Sequence, residues 1–245
     1  MTHDFSKQKF RCSSWGNLMT NQQGKKDTTS IDELSATAKK ELVKIFVLEV
    51  YGREKEIYSK YLEKGMAVEE DSITLLSRIK KIPFFKNKER RENDFATGEA
   101  DIKDPYLMDT KSCWDIHTFF EAKTEKLNKS YEYQMQGYCE LYGFDQGSVC
   151  FCLIDTPEGL IEDEKRKMFY RMNVPTMENP EYLKACEALE KEMRFSDIPL
   201  EERIHEVIVK RNPAVIESVY NRVPIWREWL CEFHEQQFKH LKVAV

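Results

Sequence analysis

The chain has 245 residues, 33% of them charged and 41% hydrophobic, with a net charge of −5. That length can bury a real core, as one large domain or as a core with extensions. No run of eighteen apolar residues is available to span a membrane, the start MTHDFSKQKFRCSSWG lacks the apolar centre of a signal peptide, and the acidic balance argues against a sequence-independent nucleic-acid coat.

In chain order, residues 1–20 are a mixed aromatic and polar lead-in and NQQGKKDTTS (21–30) reads as a loop. Ser30, with Glu33 three residues on, predicts a capping box. The helix it opens carries Leu42, Ile45, Phe46, Glu49, Tyr58 and Tyr61 to about residue 63, with Gly52 as a point of interruption. Gly65 separates a second helix, 66–81, with Val68, Ile73, Leu75, Leu76 and Ile79 as its apolar positions, and Pro83 stops it. A basic loop follows, then short strands near 93–97, 99–103 and 106–112. SYEYQMQGYCELYG (130–143) predicts a helix ended by Gly143, and GSVCFCLID (147–155) a buried strand. PEGLIEDEKRK (157–167) reads as a solvated helix entry. A helix near 179–194, a strand RIHEVIVKR (203–211) and a helix from Pro213 to about Lys239 complete the chain. The order α, β, β, β, α, β points to a mixed α/β domain with helical additions at both ends.

The seven cysteines, Cys12, Cys113, Cys139, Cys150, Cys152, Cys186 and Cys231, are odd in number, scattered and without a CxxC pair. They argue for a reducing, intracellular compartment and against zinc or iron–sulfur ligation. Cys150 and Cys152 fit an apolar strand as ordinary buried thiols. His117, His205, His234 and His240 show no metal spacing, and no GxxxxGK[ST] loop is present to bind a nucleotide. Trp226, Trp229, Leu230 and Phe233 in the last helix are spaced as a core face, although such aromatics can also stack on single-stranded bases.

The stretch GEADIKDPYLMDTKS (98–112) puts charges on strands. If 104–106 form the loop around Pro105, residue 103 pairs with 107 and Asp101 faces Asp109. Opposed Cβ atoms lie roughly 4.5–5.5 Å apart, and like charges there repel unless a cation lies between them. Oxygen-only ligands suit Mg²⁺ or Mn²⁺. Lys111 shares the face of Asp109, roughly 6.6 Å along the strand, so its ammonium reaches the same neighbourhood without displacing a ligand and can hold or polarise a water. The alternative is a solvated strand face. RIKKIPFFKNKERR (78–91) holds seven Lys/Arg against one Glu. Its Lys80, Lys81, Lys86, Lys88, Arg90 and Arg91 are candidates for a polyanion-binding face, or for a solvated helix end and loop.

Four segments in order, KGMAVEEDSI, GEADI, LMDTKSCWD and YEYQMQGY, resemble the PD-(D/E)XK nuclease superfamily, and within it the lambda-exonuclease-like (YqaJ-type) viral recombination nucleases. The resemblance covers about 60–155, and more loosely IPLEERIHEVIVKRNPAVIESVYNRVPIWREWL. It implies a restriction-endonuclease-like core, with 1–63 as helical lead-in, 64–155 as catalytic core and 156–245 as an extension. By the resemblance Asp101, Asp109 and Lys111 are the family's aspartate, acid and lysine, and Glu69 its helix glutamate in a Gly-x-x-x-Glu pattern. Glu70 is a rival pointing about 100° away. Gln134 and Tyr138 match the Gln-x-x-x-Tyr motif of RecB-type members, on one helical face, placed to orient Lys111 or touch a phosphate. Arg11 and Ser14 in RCSSWGNLM resemble the segment that contacts a DNA terminal phosphate, although Ser13 or Ser14 as a helix cap is an equal reading. Ala100 stands where many members have proline.

The resemblance thus implies a Mg²⁺-dependent deoxyribonuclease, with Mn²⁺ as substitute, degrading linear double-stranded DNA from an end. It also implies a single-strand annealing protein as partner, a possible homo-oligomer, and a phage or prophage source working in a bacterial cytoplasm. The alternatives are an endonuclease of the same superfamily and a non-catalytic DNA- or partner-binding module.

Overall fold

The computed structural model describes residues 3–55 and 59–239; Tyr58 and His240 fall outside them. After a 3₁₀ turn (Phe5–Lys7) come a short strand β1 (Phe10–Arg11) and a one-turn helix α1 (Trp15–Leu18). Helix α2 (Ala36–Tyr51) is opened by Ser35, whose hydroxyl accepts a hydrogen bond from Ala38 N at 3.0 Å, and is closed by Gly52 at φ 61°. Only glycine adopts that left-handed backbone without strain. The expected capping box at Ser30 is not formed. Ser30 precedes a single 3₁₀ turn without a side-chain cap, and Glu33 instead accepts from Thr29 N at 2.9 Å.

The helix expected over 66–81 is α4 (Glu69–Lys80), and a separate helix, α3 (Lys60–Ala67), spans the expected boundary, with the break at Val68. Gly65 lies inside α3 rather than between helices. Lys81, at φ 56°, ends α4 two residues ahead of Pro83. Strands β2 (Arg91–Glu92) and β3 (Ala96–Gly98) join β1 in one mixed sheet of order β1-β3-β2. A second mixed sheet contains β4 (Met108–Ser112), β5 (Gln146–Cys152) and β6 (Ile204–Lys210), with β4 parallel to β5 and β6 antiparallel to it. The mixed α/β class holds, but the strands divide between two sheets.

Two expected strands shrink. Over 93–97, Asn93 Oδ1 accepts from Phe95 N and Ala96 N, both at 2.9 Å, and the resulting turn delays the strand. Over 99–103, pairing is reduced to one bridge, Ile102 with Met108, closed by two hydrogen bonds of 3.1 and 3.0 Å. Between β4 and β5 lie α5 (Ile116–Thr124), which sequence patterning missed, and α6 (Lys129–Tyr142), ended by Gly143 as expected. The segment opening at PEGLIEDEKRK is the full helix α7 (Glu158–Met172), followed by α8 (Pro180–Met193) and α9 (Pro213–Phe238).

The main core gathers Phe5, Phe10 and Trp15 from the first residues, Leu42 and Phe46 from α2, Tyr138 from α6, and Trp226 and Leu230 from α9. The two ends of the chain therefore share one core with α6. Trp226 and Leu230 are buried, and Trp229 stacks on Phe233 at 4.8 Å, which bears out the core reading of that helix. Each such side chain taken out of water contributes about 1.5–3 kcal/mol. A second cluster packs Ile73, Leu75 and Leu76 of α4 on Ile102, Met108, Cys150 and Cys152. It fixes α4 against β4 and β5. All seven cysteines are free thiols. Among the described residues no helix is long and apolar enough to cross a membrane.

Candidate active site

Asp109 is the centre of the site. It sits on β4 with its residue only 3% exposed, because β5 covers one edge of the strand and α4 packs against it. Oδ1 accepts from Gln134 Nε2 at 3.4 Å, and the same amide donates to Tyr138 OH at 2.8 Å. Lys111 Nζ lies 2.5 Å from Oδ2. That ion pair is the contact Oδ2 makes, and this buried oxygen has no further hydrogen-bond partner. Such an atom is costly to keep in a core that has no use for it.

Burial pushes the Asp109 carboxyl up to about 6, opposed by Lys111 and reinforced by the negative charges of Asp101 and Glu69. For Lys111 burial acts downward, but the attraction of Asp109 outweighs it and holds the ammonium above its usual range. The Tyr131 ring lies under that ammonium, 4.9 Å from its centroid. The Tyr138 hydroxyl is pushed up by burial and then by the Asp109 charge, so it stays protonated.

The hairpin register expected from Pro105 is the one formed, since the Ile102–Met108 bridge sets Asp101 opposite Asp109. Asp101 does not point freely across, however. Its Oδ2 accepts from Thr110 N at 2.6 Å and Thr110 Oγ1 at 2.7 Å, replacing the main-chain partner that a longer ladder would have given. Asn87 fixes the approach from the other side. Asn87 N donates to Asp101 O at 2.7 Å, and its amide donates to Ala100 O at 2.9 Å and Tyr142 OH at 3.0 Å.

Glu69 is the first residue of α4, where a carboxylate is favoured by the helix dipole. It is half-buried and Glu70 exposed, which separates the two rivals. Its carboxylate is taken by Lys86 at 2.9 Å. The Lys86 ammonium is held above its ordinary value, first by that hydrogen bond, with Glu70 and Asp101 adding their charge.

Three expectations are corrected by this geometry. Among the described residues no three His, Cys, Asp or Glu side chains stand close enough together to hold a metal ion, so the acids are neighbours rather than one closed cup. Thr110, Lys111 and Lys86 each draw one of them aside. Lys111 lies directly on a carboxylate oxygen instead of beside it. Gln134 engages Asp109 and Tyr138, not Lys111. The donor set still suits a hard cation, being oxygen only, and Asp109 Oδ2, with only Lys111 on it, offers it an acceptor.

The two candidate binding faces are less open than their composition suggests. Of the seven basic residues in 78–91, four are paired with acids: Lys80 with Glu206, Lys86 with Glu69, Arg90 with Glu99 and Arg91 with Glu89. Lys81 and Lys88 are exposed and have no ion pair among the described residues. Arg11 pairs with Glu54 at 3.3 Å, and the Ser14 hydroxyl donates to Glu41 at 3.0 Å. Ser14 makes no side-chain cap to α1. Arg11 and Ser14 line a cleft of about 310 Å³ with Lys9, Lys44, Lys55 and Thr97.

Sequence reasoning missed Thr110, Asn87, Lys86 as a partner of Glu69, and Tyr131. Only Tyr131 carried a signal, because it lies three residues before Gln134 on the same helical face.

No family model matches the sequence, and no curated protein aligns with it. Solved structures do. A phage-related exonuclease from Haemophilus somnus 129PT is 27% identical, with a TM-score of 0.71 over 94% of this chain and 96% of that one. An alkaline exonuclease from Laribacter hongkongensis is 12% identical, with a TM-score of 0.63 over 97% of this chain and 96% of that one. Its complex with dAMP superposes with a TM-score of 0.60 at 13% identity, covering 97% of this chain and 95% of that one. The likeness to phage-type exonucleases, first visible in four short motifs, extends through the whole fold.

Proposed function

We propose that this chain is a nuclease, and within that class a divalent-metal-dependent deoxyribonuclease that degrades linear double-stranded DNA from an end. The observation that carries the reading is Asp109. A carboxylate is buried on a strand with one oxygen lacking a hydrogen bond, a lysine at 2.5 Å, and two further acids close enough to disfavour its ionisation. The likeness to phage-related and alkaline exonucleases supports the same chemistry.

Asp101 and Asp109 would hold the cation, with Glu69 joining once Lys86 releases it. When bound, a divalent cation lowers the pKa of a water and neutralises charge on a phosphoryl oxygen. Lys111 has N–H donors left over beyond Asp109, and these hold the attacking water and the charge that develops during in-line displacement. No side chain forms a covalent intermediate. Gln134 fixes the Asp109 carboxylate, and Tyr138 fixes Gln134. The Arg11–Ser14 cleft would take the end of the duplex, its basic side chains exchanging Glu41 and Glu54 for phosphate.

Incubation with end-labelled linear, nicked and covalently closed DNA tests the reading. With Mg²⁺ or Mn²⁺ the linear duplex is shortened from its ends, the closed circle persists, and a chelator stops the reaction. Absence of cleavage under either metal contradicts a nuclease, and cutting of the closed circle at a similar rate contradicts an exonuclease.

A further inference from the structure

Phe85 is the most exposed of the large apolar side chains, at 77%, and it has no ring partner among the described residues. Its neighbours are all engaged. Phe84 is buried against the cluster formed by α4 and the second sheet, and its N–H donates to Ser77 Oγ at 3.0 Å. Lys86 reaches Glu69 at 2.9 Å. Asn87 is buried and its N–H donates to Asp101 O at 2.7 Å. The backbone on both sides of Phe85 is therefore pinned, one side to the core and the other to the two acids of the site. A phenyl ring left in water in that position forgoes the stabilisation that burial would give it.

We infer that Phe85 is a base-stacking subsite: its ring takes the face of an unpaired nucleobase next to the phosphodiester held at Asp109 and Lys111. The inference rests on the nuclease reading above and adds to it the residue that grips the base. Its place beside the site and the basic residues near it in sequence favour a nucleobase as occupant. Consecutive Cα atoms are about 3.8 Å apart, so Phe85 stands one residue from the lysine on Glu69 and two from the residue bonded to Asp101. Lys81 and Lys88, exposed and without an ion pair among the described residues, flank it and suit phosphates on either side. The strand that would deliver a phosphate to the acids carries a base on each nucleotide, and an unpaired base has a flat π-face that an aromatic ring can take. Stacking there offsets part of the cost of unpairing the end of a duplex.

The test is a thermodynamic cycle in binding, run on the full chain with a chelator present so that turnover does not interfere. Parent and Phe85→Ala are titrated with a fluorescent duplex, and with duplexes carrying an abasic residue at the terminal or penultimate position of either strand. The expected result is that Phe85→Ala weakens binding of the intact duplex about tenfold, within the range for base–aromatic stacking. At one abasic position parent and variant then bind alike, and Phe85→Trp restores or tightens binding to the intact duplex only. Additive effects at every abasic position, or unchanged binding by Phe85→Ala, overturn the subsite. Cleavage by the parent with Mg²⁺ is scored separately. An inactive parent rejects the nuclease reading, whereas an active parent with an additive cycle rejects only the role of Phe85.

Discussion

Lys64 and Lys111 are both drawn out of water, and the protein holds them in opposite ways. Lys64, on α3, is fully buried. Its ammonium donates to Trp114 O at 3.0 Å and faces the rings of Trp114 and Phe195, at 5.7 and 5.1 Å. Burial dominates and lowers its pKa to about 8. Lys111 is less deeply placed, yet the Asp109 carboxylate 2.5 Å away keeps it firmly charged. The first is a brace between α3 and the loop after β4. The second belongs to a charged pair whose carboxylate still has an unsatisfied oxygen. Burial of a charge alone does not mark a site; burial of a carboxylate oxygen whose one contact is a lysine ammonium does.

Substitution at each lysine breaks or sharpens this contrast. Lys111→Met is expected to lower kcat by about a thousandfold, the scale for losing a donor to developing charge, with duplex binding changed severalfold at most. Lys64→Met is expected to leave cleavage within severalfold. Equal losses at the two positions would erase the distinction.

Stability separates them next. A lysine whose folded pKa lies below its unfolded value of 10.5 carries a burial cost that is fully present below pH 8 and relieved as pH rises toward 10.5. For Lys64 the cost is about 3 kcal/mol, partly offset by the hydrogen bond of about 1 kcal/mol to Trp114. Urea melts at pH 7 should therefore find Lys64→Met more stable than the parent, with the gap closing by pH 10. A gap that widens with pH would contradict the assignment.

Gln134→Ala, which removes the amide hydrogen bond to Asp109 Oδ1, should cost about 10–100-fold in metal affinity or activity, as for other partners of ligating groups. It should leave Lys111 in place, since Gln134 makes no bond to it. The smallest effect is expected at the surface. Lys81→Ala and Lys88→Ala should each reduce the salt dependence of duplex binding by about one unit of slope, without changing kcat. Lys80→Ala, already neutralised by Glu206, should change the slope less.

Much of the site was readable from the sequence, and the unreadable part has a consistent cause. Pro105 fixes a turn, and a turn fixes register, so the pairing of 101 with 109 followed from spacing. Gln134 and Tyr138 share a helical face by the same periodicity. What spacing does not carry is competition from side chains distant in sequence. Lys86 takes Glu69 and Thr110 takes Asp101, so acids expected to share one cation each have another partner. The break at Val68 was invisible because Val68 is apolar and is buried beside Ile73, Leu75 and Leu76 of α4, so it counted as one of that helix's own positions. Helix α5 did announce itself, since Asp115 accepts from Thr118 N at 2.7 Å in a reciprocal cap, but with threonine where the usual box has an acid or amide.

The central claim is that Asp101, Asp109 and Lys111, with Glu69 from α4, form one centre built around a hard cation. Crystals of the full chain soaked in Mn²⁺ and measured at the manganese edge address it most directly. The account expects one anomalous peak at roughly 2 Å from Asp109 Oδ2 and an Asp101 oxygen, with Lys111 moved off Oδ2 and Glu69 turned away from Lys86. A peak bound elsewhere, or no peak while Lys111 stays seated on Asp109, would contradict it.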